Sequence, residues 1–205
     1  MPKSQTSSGV EVIKHTANGI MRDVVAAADG WIYYAYDEDE PGSCNYSYIE
    51  RYSPISGVVD TMSTTRVYAS HSYCRVHRLR LNKRNNRLYV VGAFTELYVN
   101  GVAQGGTYGN FECICYRDMR TGVWNDFLPV DQGGGAYTPC VYDVAFDDGN
   151  REWIVGDFIT GGDMPGWDNA WGWGCNYQGA WRAGRSEGAA LRDIITVTRK
   201  RWPAM

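Results

Sequence analysis

Two nine-residue segments of the chain have nearly the same sequence, "RLYVVGAFT" at 87–95 and "REWIVGDFI" at 151–159. Both begin with Arg, continue as an apolar run and contain Gly and Phe near their ends. A third segment, "GWIYYAYDE" at 30–38, sets Tyr36 against Phe94 of the second copy. Recurrence at a period of tens of residues is typical of repeat architectures, so the chain is expected to use one structural unit three times.

The flanking segments repeat in step. Before each copy lies a short alternating segment, and a tight polar turn of the kind found in β-hairpins joins the two. After each copy come Asn, an aromatic residue and a later Gly, with the Asn at positions 45, 110 and 176. Another short strand candidate follows each Gly. The period is therefore a unit of four antiparallel strands, a to d.

The predicted unit boundaries follow from this alignment, in one domain over 1–205. The units are expected at about 21–62, 76–127 and 141–197, with one more d strand at 8–13.

The b strands are predicted near 31–36, 87–94 and 151–158. Val90 with Val91, and Ile154 with Val155, form continuous apolar runs there, which predicts burial on both faces of stacked sheets.

Four short strands per unit are typical of a β-propeller blade. The segments "VYDVAFDDGNREWIVGDFITGG", "VHRLRLNKRNNRLYVVGAFTELYVNG" and "ICYRDMRTGVWNDFLP" resemble the repeats of delta-60 and kelch-like propellers, over about residues 20–188. The resemblance implies an all-β, propeller-like fold of three four-stranded blades. It implies little about function, because propellers carry many unrelated activities.

Composition favours strands and turns over helices. The 205 residues are 44% hydrophobic and 14% aromatic, with 24 glycines. The one helix candidate, "GVEVIKHTANGIMRDVVAAA", contains Gly19 and aligns with the repeat, so a strand is favoured there.

Charge and hydropathy limit the classes of partner. The net charge of −3 comes from intermixed acids and bases, so no nucleic-acid partner is expected, and "RKRWPAM" is interpreted as a solubilising tail. The sequence has no apolar run long enough to span a membrane, and "MPKSQTSSGVEV" lacks the apolar region of a signal peptide. We expect a soluble protein without a membrane partner, and a virion is the one location suggested.

The six cysteines are predicted to be free thiols. Cys113 and Cys115 are two apart on one predicted strand, where both would point to the same face and could not bridge each other. Cys44 and Cys175 occupy equivalent positions in non-neighbouring units. Free thiols are consistent with a reducing compartment.

Metal motifs are weak. His71, Cys74 and His77 have a spacing that alternates faces on an extended chain, so a zinc site is disfavoured. The acidic run at 37–40 matches the start of a calcium loop, but Tyr48 stands where a bidentate Glu is needed. Calcium binding there stays open, although a solvated acidic loop is favoured.

Catalytic motifs are missing from the sequence, which contains no nucleophile elbow, no zinc-protease motif and no phosphate-binding loop with its Lys. We therefore expect neither enzymatic activity nor a cofactor. The connections between strands b and c and between units are long, and function on a β scaffold tends to lie on such loops.

The candidate binding residues are aromatic and lie in these connections. A tryptophan platform could stack on a sugar or anchor in a partner's pocket. The candidates are Trp167, Trp171 and Trp173 in the connection "GGDMPGWDNAWGWGC", together with Tyr98 and Tyr108 in the connection "TELYVNGVAQGGTYG".

Three blades are too few for a closed propeller, which typically has 4 to 8. Completion by oligomerisation or by a partner is therefore expected. The function favoured by the sequence is that of a non-enzymatic structural or assembly protein, with a virus particle such as a phage suggested by fold-level analogy. The alternative is a lectin-like carbohydrate-binding module that uses the Trp-rich loop.

Overall fold

The computed structural model describes residues 19–38, 46–68, 74–104, 113–127, 140–157, 171–177 and 180–185. Within these ranges the regular secondary structure is all β-strand and every strand pair is antiparallel, so the predicted all-β class is confirmed. The strands are β1 (Gly19–Ala26), β2 (Ile32–Glu38), β3 (Tyr46–Ser53), β4 (Val58–Tyr68), β5 (Arg75–Asn82), β6 (Arg87–Ala93), β7 (Glu96–Val99), β8 (Val102–Gln104), β9 (Ile114–Asp118), β10 (Trp124–Asp126), β11 (Cys140–Phe146), β12 (Glu152–Asp157), β13 (Trp171–Tyr177) and β14 (Ala180–Arg185).

The strands form three sheets. The first sheet has the order β1-β2-β3-β4-β7-β8, the second β10-β9-β6-β5, and the third β11-β12-β13-β14. Strand β5 lies beside both β1 and β11, so the first strands of the three sheets are neighbours. The observed second strands, β2, β6 and β12, lie within two residues of the predicted b strands.

The second sheet is covered on both faces. Val90 packs into a cluster with Tyr33 of the first sheet, whereas Val91 packs into another cluster with Ile154 of the third. Adjacent strand residues point to opposite faces, so the apolar pair Val90 and Val91 supplies both interfaces. Both valines are fully buried, as the continuous apolar run predicts.

In the first and second sheets the turn between the third and fourth strands, counted along the chain, needs a glycine because of its backbone conformation. Gly57 and Gly122 have φ of +69° and +76°, and each N–H donates to a carbonyl four residues earlier, that of Ser53 or Asp118, at 2.8 Å. Residues with a side chain rarely adopt this left-handed conformation. The recurring Gly is thus required by the turn in the first two sheets.

The third copy is aligned differently from the prediction. The segment at 176–188 was expected to be its third strand, but the third strand is β13, and β13 pairs with β14 from Tyr177↔Ala180 onward. The turn therefore falls inside the predicted strand. The expected fourth strand after Gly188 and the extra strand at 8–13 lie outside the described residues.

The connection after β6 is also more regular than predicted. Its residues form the hairpin β7–β8, and β7 pairs with β4 at the edge of the first sheet. Strand β4 continues to Tyr68, beyond the expected end of the unit at 62, and gives β7 a pairing partner. The hairpin turn consists of Asn100 and Gly101, both with positive φ. The first sheet therefore contains two strands, β7 and β8, whose residues belong to the second predicted unit.

The alignment of the first copy is shifted by two residues. In each sheet the last pair before the bulge of the first strand marks an equivalent position. That pair is Met21 with Tyr36 in the first sheet, Val76 with Gly92 in the second and Val141 with Gly156 in the third. Tyr36 is therefore equivalent to Gly92 and not, as predicted, to Phe94. A shift of two keeps every side chain on its face, so the apolar pattern could not reveal it.

Replacing Ile154 by Ala tests the packing between the second and third sheets. Ile154 is 1% exposed and packs against Val91 and Val144, so Ile154→Ala is expected to lower the free energy of unfolding by about 2 to 5 kcal/mol. Urea denaturation measures the loss. Val123→Ala is the control, because Val123 is 56% exposed. A loss within about 0.5 kcal/mol for Ile154→Ala, as surface substitutions give, would contradict the stacking.

Candidate functional site

Each first strand contains an extra residue at the same place. The pairing register skips Arg22 in β1, His77 in β5 and Tyr142 in β11. Such β-bulges re-aim a side chain and often occur next to functional sites. Because β1, β5 and β11 are neighbours, the three residues form a polar row across the sheets, called here the bulge row.

The close approach of β5 to β6 explains why position 92, beside this row, is a glycine. A Cβ atom on Gly92 would lie 2.0 Å from the carbonyl oxygen of Arg75. No side chain can be accommodated at that distance. Gly92 thus permits the tight strand pairing immediately before the His77 bulge.

Arg22 is held by a buried carboxylate. Asp37 is 1% exposed, and it accepts hydrogen bonds from the Arg22 guanidinium and from the Ser47 hydroxyl. The Ser47 oxygen in turn accepts the backbone N–H of Val76 at 3.2 Å. The bridging carboxylate and hydroxyl therefore connect β1, β2 and β3 of the first sheet to β5 of the second. Buried charges of this kind are normally paired and hydrogen-bonded.

His77 lies in a half-buried and positively charged environment. Burial, followed by the charges of Arg75, Arg22 and Arg78, lowers the pKa of His77 from 6.5 to about 4, and Asp37 acts in the opposite direction. The imidazole is therefore neutral at neutral pH. One ring nitrogen of a neutral imidazole is a donor and the other an acceptor.

Tyr142 is the member of the bulge row on the third sheet, and Cys140 lies beside it on the same strand. The rings of His77 and Tyr142 are 5.3 Å apart between centroids, at an interplanar angle of 59°. Burial raises the pKa of the Cys140 thiol to about 12, against the effects of a hydrogen bond to Tyr142 and of the Arg75 charge. Cys140 is thus a protonated thiol and a poor nucleophile at neutral pH.

Arg80, which follows the bulge in β5, contacts residues of both β1 and β11. Its guanidinium lies 3.0 Å from a carboxylate oxygen of Asp143 and 3.6 Å from one of Asp23. These two aspartates directly follow the bulges in β11 and β1, and Asp23 also accepts the backbone N–H of Leu79 at 2.9 Å. The sheets are therefore joined by polar contacts along the row as well as by apolar packing.

The outer face of the first sheet, defined as the face turned away from the second sheet, is rich in tyrosine. Tyr34, Tyr36 and Tyr52 form a buried cluster of their own, each 5% exposed or less. Glu50 accepts hydrogen bonds from Tyr34 and Tyr36 at 2.7 and 2.9 Å, so the carboxylate among them has hydroxyl donors as partners. Burial, followed by the hydrogen bond and charge of Glu50, raises the pKa of Tyr34.

Tyr98, a predicted binding residue, lies at the edge of the same sheet. Arg66 stacks over the Tyr46 ring at 4.0 Å and lies 5.6 Å from the Tyr98 ring. The rings of Tyr68 and Tyr98 meet edge to face at 6.1 Å. A hydrogen bond to Glu96, more than burial, raises the pKa of Tyr98 to about 12. Tyr98 thus belongs to a packed arginine–tyrosine group.

The predicted tryptophan platform is placed differently. Trp171 and Trp173 lie in strand β13, paired with Asp157 and Val155, and not in a loop as predicted. Trp167 and Tyr108 lie outside the described residues. The predicted loop placement of Trp171 and Trp173 is wrong, because the alternation of Trp and Gly is the pattern of a strand. Their proposed binding role stays a prediction.

The side chains of Cys74, Cys113, Cys115 and Cys140 are buried thiols that form no disulfide. Cys113 and Cys115 do not share a face as predicted, because Cys113 packs with the third sheet's cluster and Cys115 with the first sheet's. Cys113 has φ of +61° just before β9, which breaks the alternation. Cys44 lies outside the described residues.

Within the described ranges no group of three or more His, Cys, Asp or Glu side chains could hold a metal ion. His71 and residues 39–45, part of the predicted zinc and calcium motifs, fall outside these ranges. The same ranges contain no helix long and apolar enough to cross a membrane.

No model of a known protein family matches the chain, and no curated protein matches it either.

Thiol reactivity tests the burial of the cysteines. Burial raises the pKa of Cys115 and Cys140, so the four described thiols should not react with a disulfide reagent in the native protein. All six thiols of the chain should react after denaturation without reductant. The double variant Cys44→Ser, Cys175→Ser should show no native reaction. Fewer than six reactive thiols in the denatured protein would reveal a disulfide and contradict the prediction.

The pKa of His77 predicts a pH dependence of stability. Between pH 6.5 and about 4 the unfolded state binds a proton at His77 that the folded state does not, so stability from this group falls as pH falls through that window. The charges that act on it are Arg22 on β1, Asp37 on β2, and Arg75 and Arg78 on its own strand. His77→Gln should lose less stability on acidification than the wild type, measured by urea denaturation at the two ends of the window. An equal loss would contradict the assignment.

Proposed function

We propose that this protein is a non-enzymatic assembly protein, built as a propeller-like stack of three sheets that is completed by another protein surface. The single observation that carries the proposal is the contrast between the second sheet, which is covered on both faces, and the outer face of the first sheet, whose aliphatic residues stay half-exposed. The tyrosines Tyr34, Tyr36 and Tyr52 beside them are already buried within the single chain. The side-by-side first strands β1, β5 and β11 support a radial, propeller-like arrangement.

The exposure of its residues supports the outer face as a contact surface. Met21, Val24 and Val59 are 52%, 57% and 40% exposed, and in the register they stand beside Tyr36, Tyr34 and Tyr52. Side chains on adjacent strands at paired positions share a face. Half-exposed aliphatic groups therefore border a tyrosine cluster on one surface of the sheet.

The composition of this face supports a protein partner. Tyrosine, methionine and arginine are enriched at the centres of protein interfaces, where charged groups other than arginine are depleted. On this face the carboxylate of Glu50 is bonded to Tyr34 and Tyr36, and the Arg66 guanidinium is stacked on Tyr46. Covering the face would therefore leave the Glu50 carboxylate hydrogen-bonded, whereas the Arg66 Nε is already buried without a hydrogen-bond partner in the described part of the chain.

A second copy of the chain is the partner that we favour. Two stacks of three sheets supply six, within the usual 4 to 8 blades of a closed propeller. A virus particle such as a phage is a proposed setting that rests on fold-level analogy alone.

Val24→Asp tests the proposal. A charge at this half-exposed position leaves the core unchanged but opposes burial of the outer face, so the assembly should dissociate to single chains by light scattering after gel filtration. Ile55→Asp is the matched control, because Ile55 is 90% exposed in the turn between β3 and β4. A wild-type protein that is a single chain, or a Val24→Asp variant that assembles normally, would contradict the proposal.

Glycan binding distinguishes the carbohydrate-binding alternative. The assembly protein proposed here should pass through a glycan column without retention. Retention that free sugar reverses, and that Trp171→Ser with Trp173→Ser removes, would favour the lectin-like alternative.

A further inference from the structure

The exposed aliphatic residues of β1 have buried equivalents in the other two sheets. In each first strand, an aliphatic residue precedes the bulge and another lies two positions after it. These residues are Met21 and Val24 in β1, Val76 and Leu79 in β5, and Val141 and Val144 in β11. In β5 and β11 they are 0% or 1% exposed, whereas Met21 and Val24 are about half-exposed. The same pattern is therefore covered in two sheets and open in one.

In the second and third sheets the second strand of the preceding sheet provides the cover. Each cluster combines the two aliphatic residues with an aromatic residue and a smaller apolar residue of that strand. The clusters contain Tyr33 and Ala35 with Val76 and Leu79, and Tyr89 and Val91 with Val141 and Val144. Tyr33 and Tyr89 are equivalent, because each lies three residues before the reference position, Tyr36 or Gly92. One contact geometry is thus used twice within the chain.

The third sheet has the same covering residues on the face turned away from the second sheet. Trp153 and Val155 lie three residues and one residue before Gly156, as Tyr33 and Ala35 do before Tyr36. Ile154 packs toward the second sheet, so its neighbours Trp153 and Val155 lie on the opposite face.

This face of the third sheet, called here the end face, is defined by Ala145, Trp153 and Val155. Ala145 is paired with Trp153 and therefore shares its face. Val155 is buried within the chain, whereas Ala145 and Trp153 are half-buried. In the described part of the chain the third sheet packs against strands of the second sheet alone. The end face therefore has no described sheet that follows it.

We propose that the end face of one chain covers Met21 and Val24 of a second copy, so that two chains join head to tail in a closed ring of six sheets. The inference rests on the proposed function and deepens it by naming the surface of the partner copy. Each chain supplies one end face and one outer face, so the contact occurs twice around a two-fold axis.

The internal contacts give the chemistry of this interface. Val25, which is paired with Tyr33, packs against the cluster that contains Val76 and Leu79. Ala145 occupies the position of Val25 in the third sheet, three residues after the bulge. Ala145 and Trp153 of one chain therefore contact Met21 and Val24 of the other. A contact between two first sheets has no equivalent in the described part of the chain.

Crosslinking of introduced cysteines tests the head-to-tail contact. Val24→Cys and Ala145→Cys are made separately and together in the full chain, with Cys44→Ser and Cys175→Ser, because the other four thiols are buried. A short bismaleimide should join two chains of the combined variant and neither single variant, since position 24 of one chain meets position 145 of the other. Val123→Cys with Ala145→Cys is the matched control, because Val123 is as exposed as Val24 but precedes β10 of the second sheet. No dimer is expected from it.

The outcomes separate this inference from the proposed function. Crosslinked dimers of Val24→Cys alone would place two first sheets together and overturn the head-to-tail contact, although the assembly would remain. An assembled combined variant that is not crosslinked between chains would overturn it in the same way. Light scattering of the wild type should give the mass of two chains. Masses that grow with concentration would overturn ring closure, and a single chain would overturn both proposals.

Discussion

The stacking of the sheets depends on burying one strand, β6, on both of its faces. Val90 and Val91 point in opposite directions, each into a cluster shared with a different neighbouring sheet. A strand in this position cannot alternate apolar and polar residues, because neither face meets water. Within the sheet, Gly92 lies so close to β5 that no larger residue can replace it.

Polar residues at the first strands have a different role from the apolar clusters. The pairing register skips one polar residue in each first strand, at Arg22, His77 and Tyr142. Arg80, further along β5, forms ion pairs with the aspartates that follow the bulges in β1 and β11. Removing such charges from water is costly unless each finds a partner. Arg80 and the aspartates therefore join the sheets by paired charges, in addition to the apolar clusters.

The sequence predicted the elements whose signals are local. The apolar run around Ile154 located a second strand, and Gly57 and Gly122 located turns that need a left-handed residue. The β7–β8 hairpin was missed, although Asn100-Gly101 is a known hairpin signal. Its alternating neighbours were interpreted as an irregular connection because the four-strand unit left no place for two more strands.

The candidate site had no comparable signal. Arg22, His77 and Tyr142 share a position but not a chemical type, so repetition of residue types could not identify them. A bulge is visible only in the pairing register, which depends on partner strands far away in the sequence. In the sequence His77 shows only the spacing of a weak zinc motif, and its positive surroundings depend in part on Arg22, which is 55 positions earlier in the chain.

The central claim is that a stack of three sheets presents the outer face of its first sheet to another protein surface. A cryo-electron microscopy or crystal structure of the native assembly tests it most directly. The account predicts a β-sheet of a second chain packed on Met21 and Val24, beside the tyrosines Tyr34 and Tyr36 that the chain itself already buries. An assembly in which Met21 and Val24 remain in contact with solvent would contradict the account.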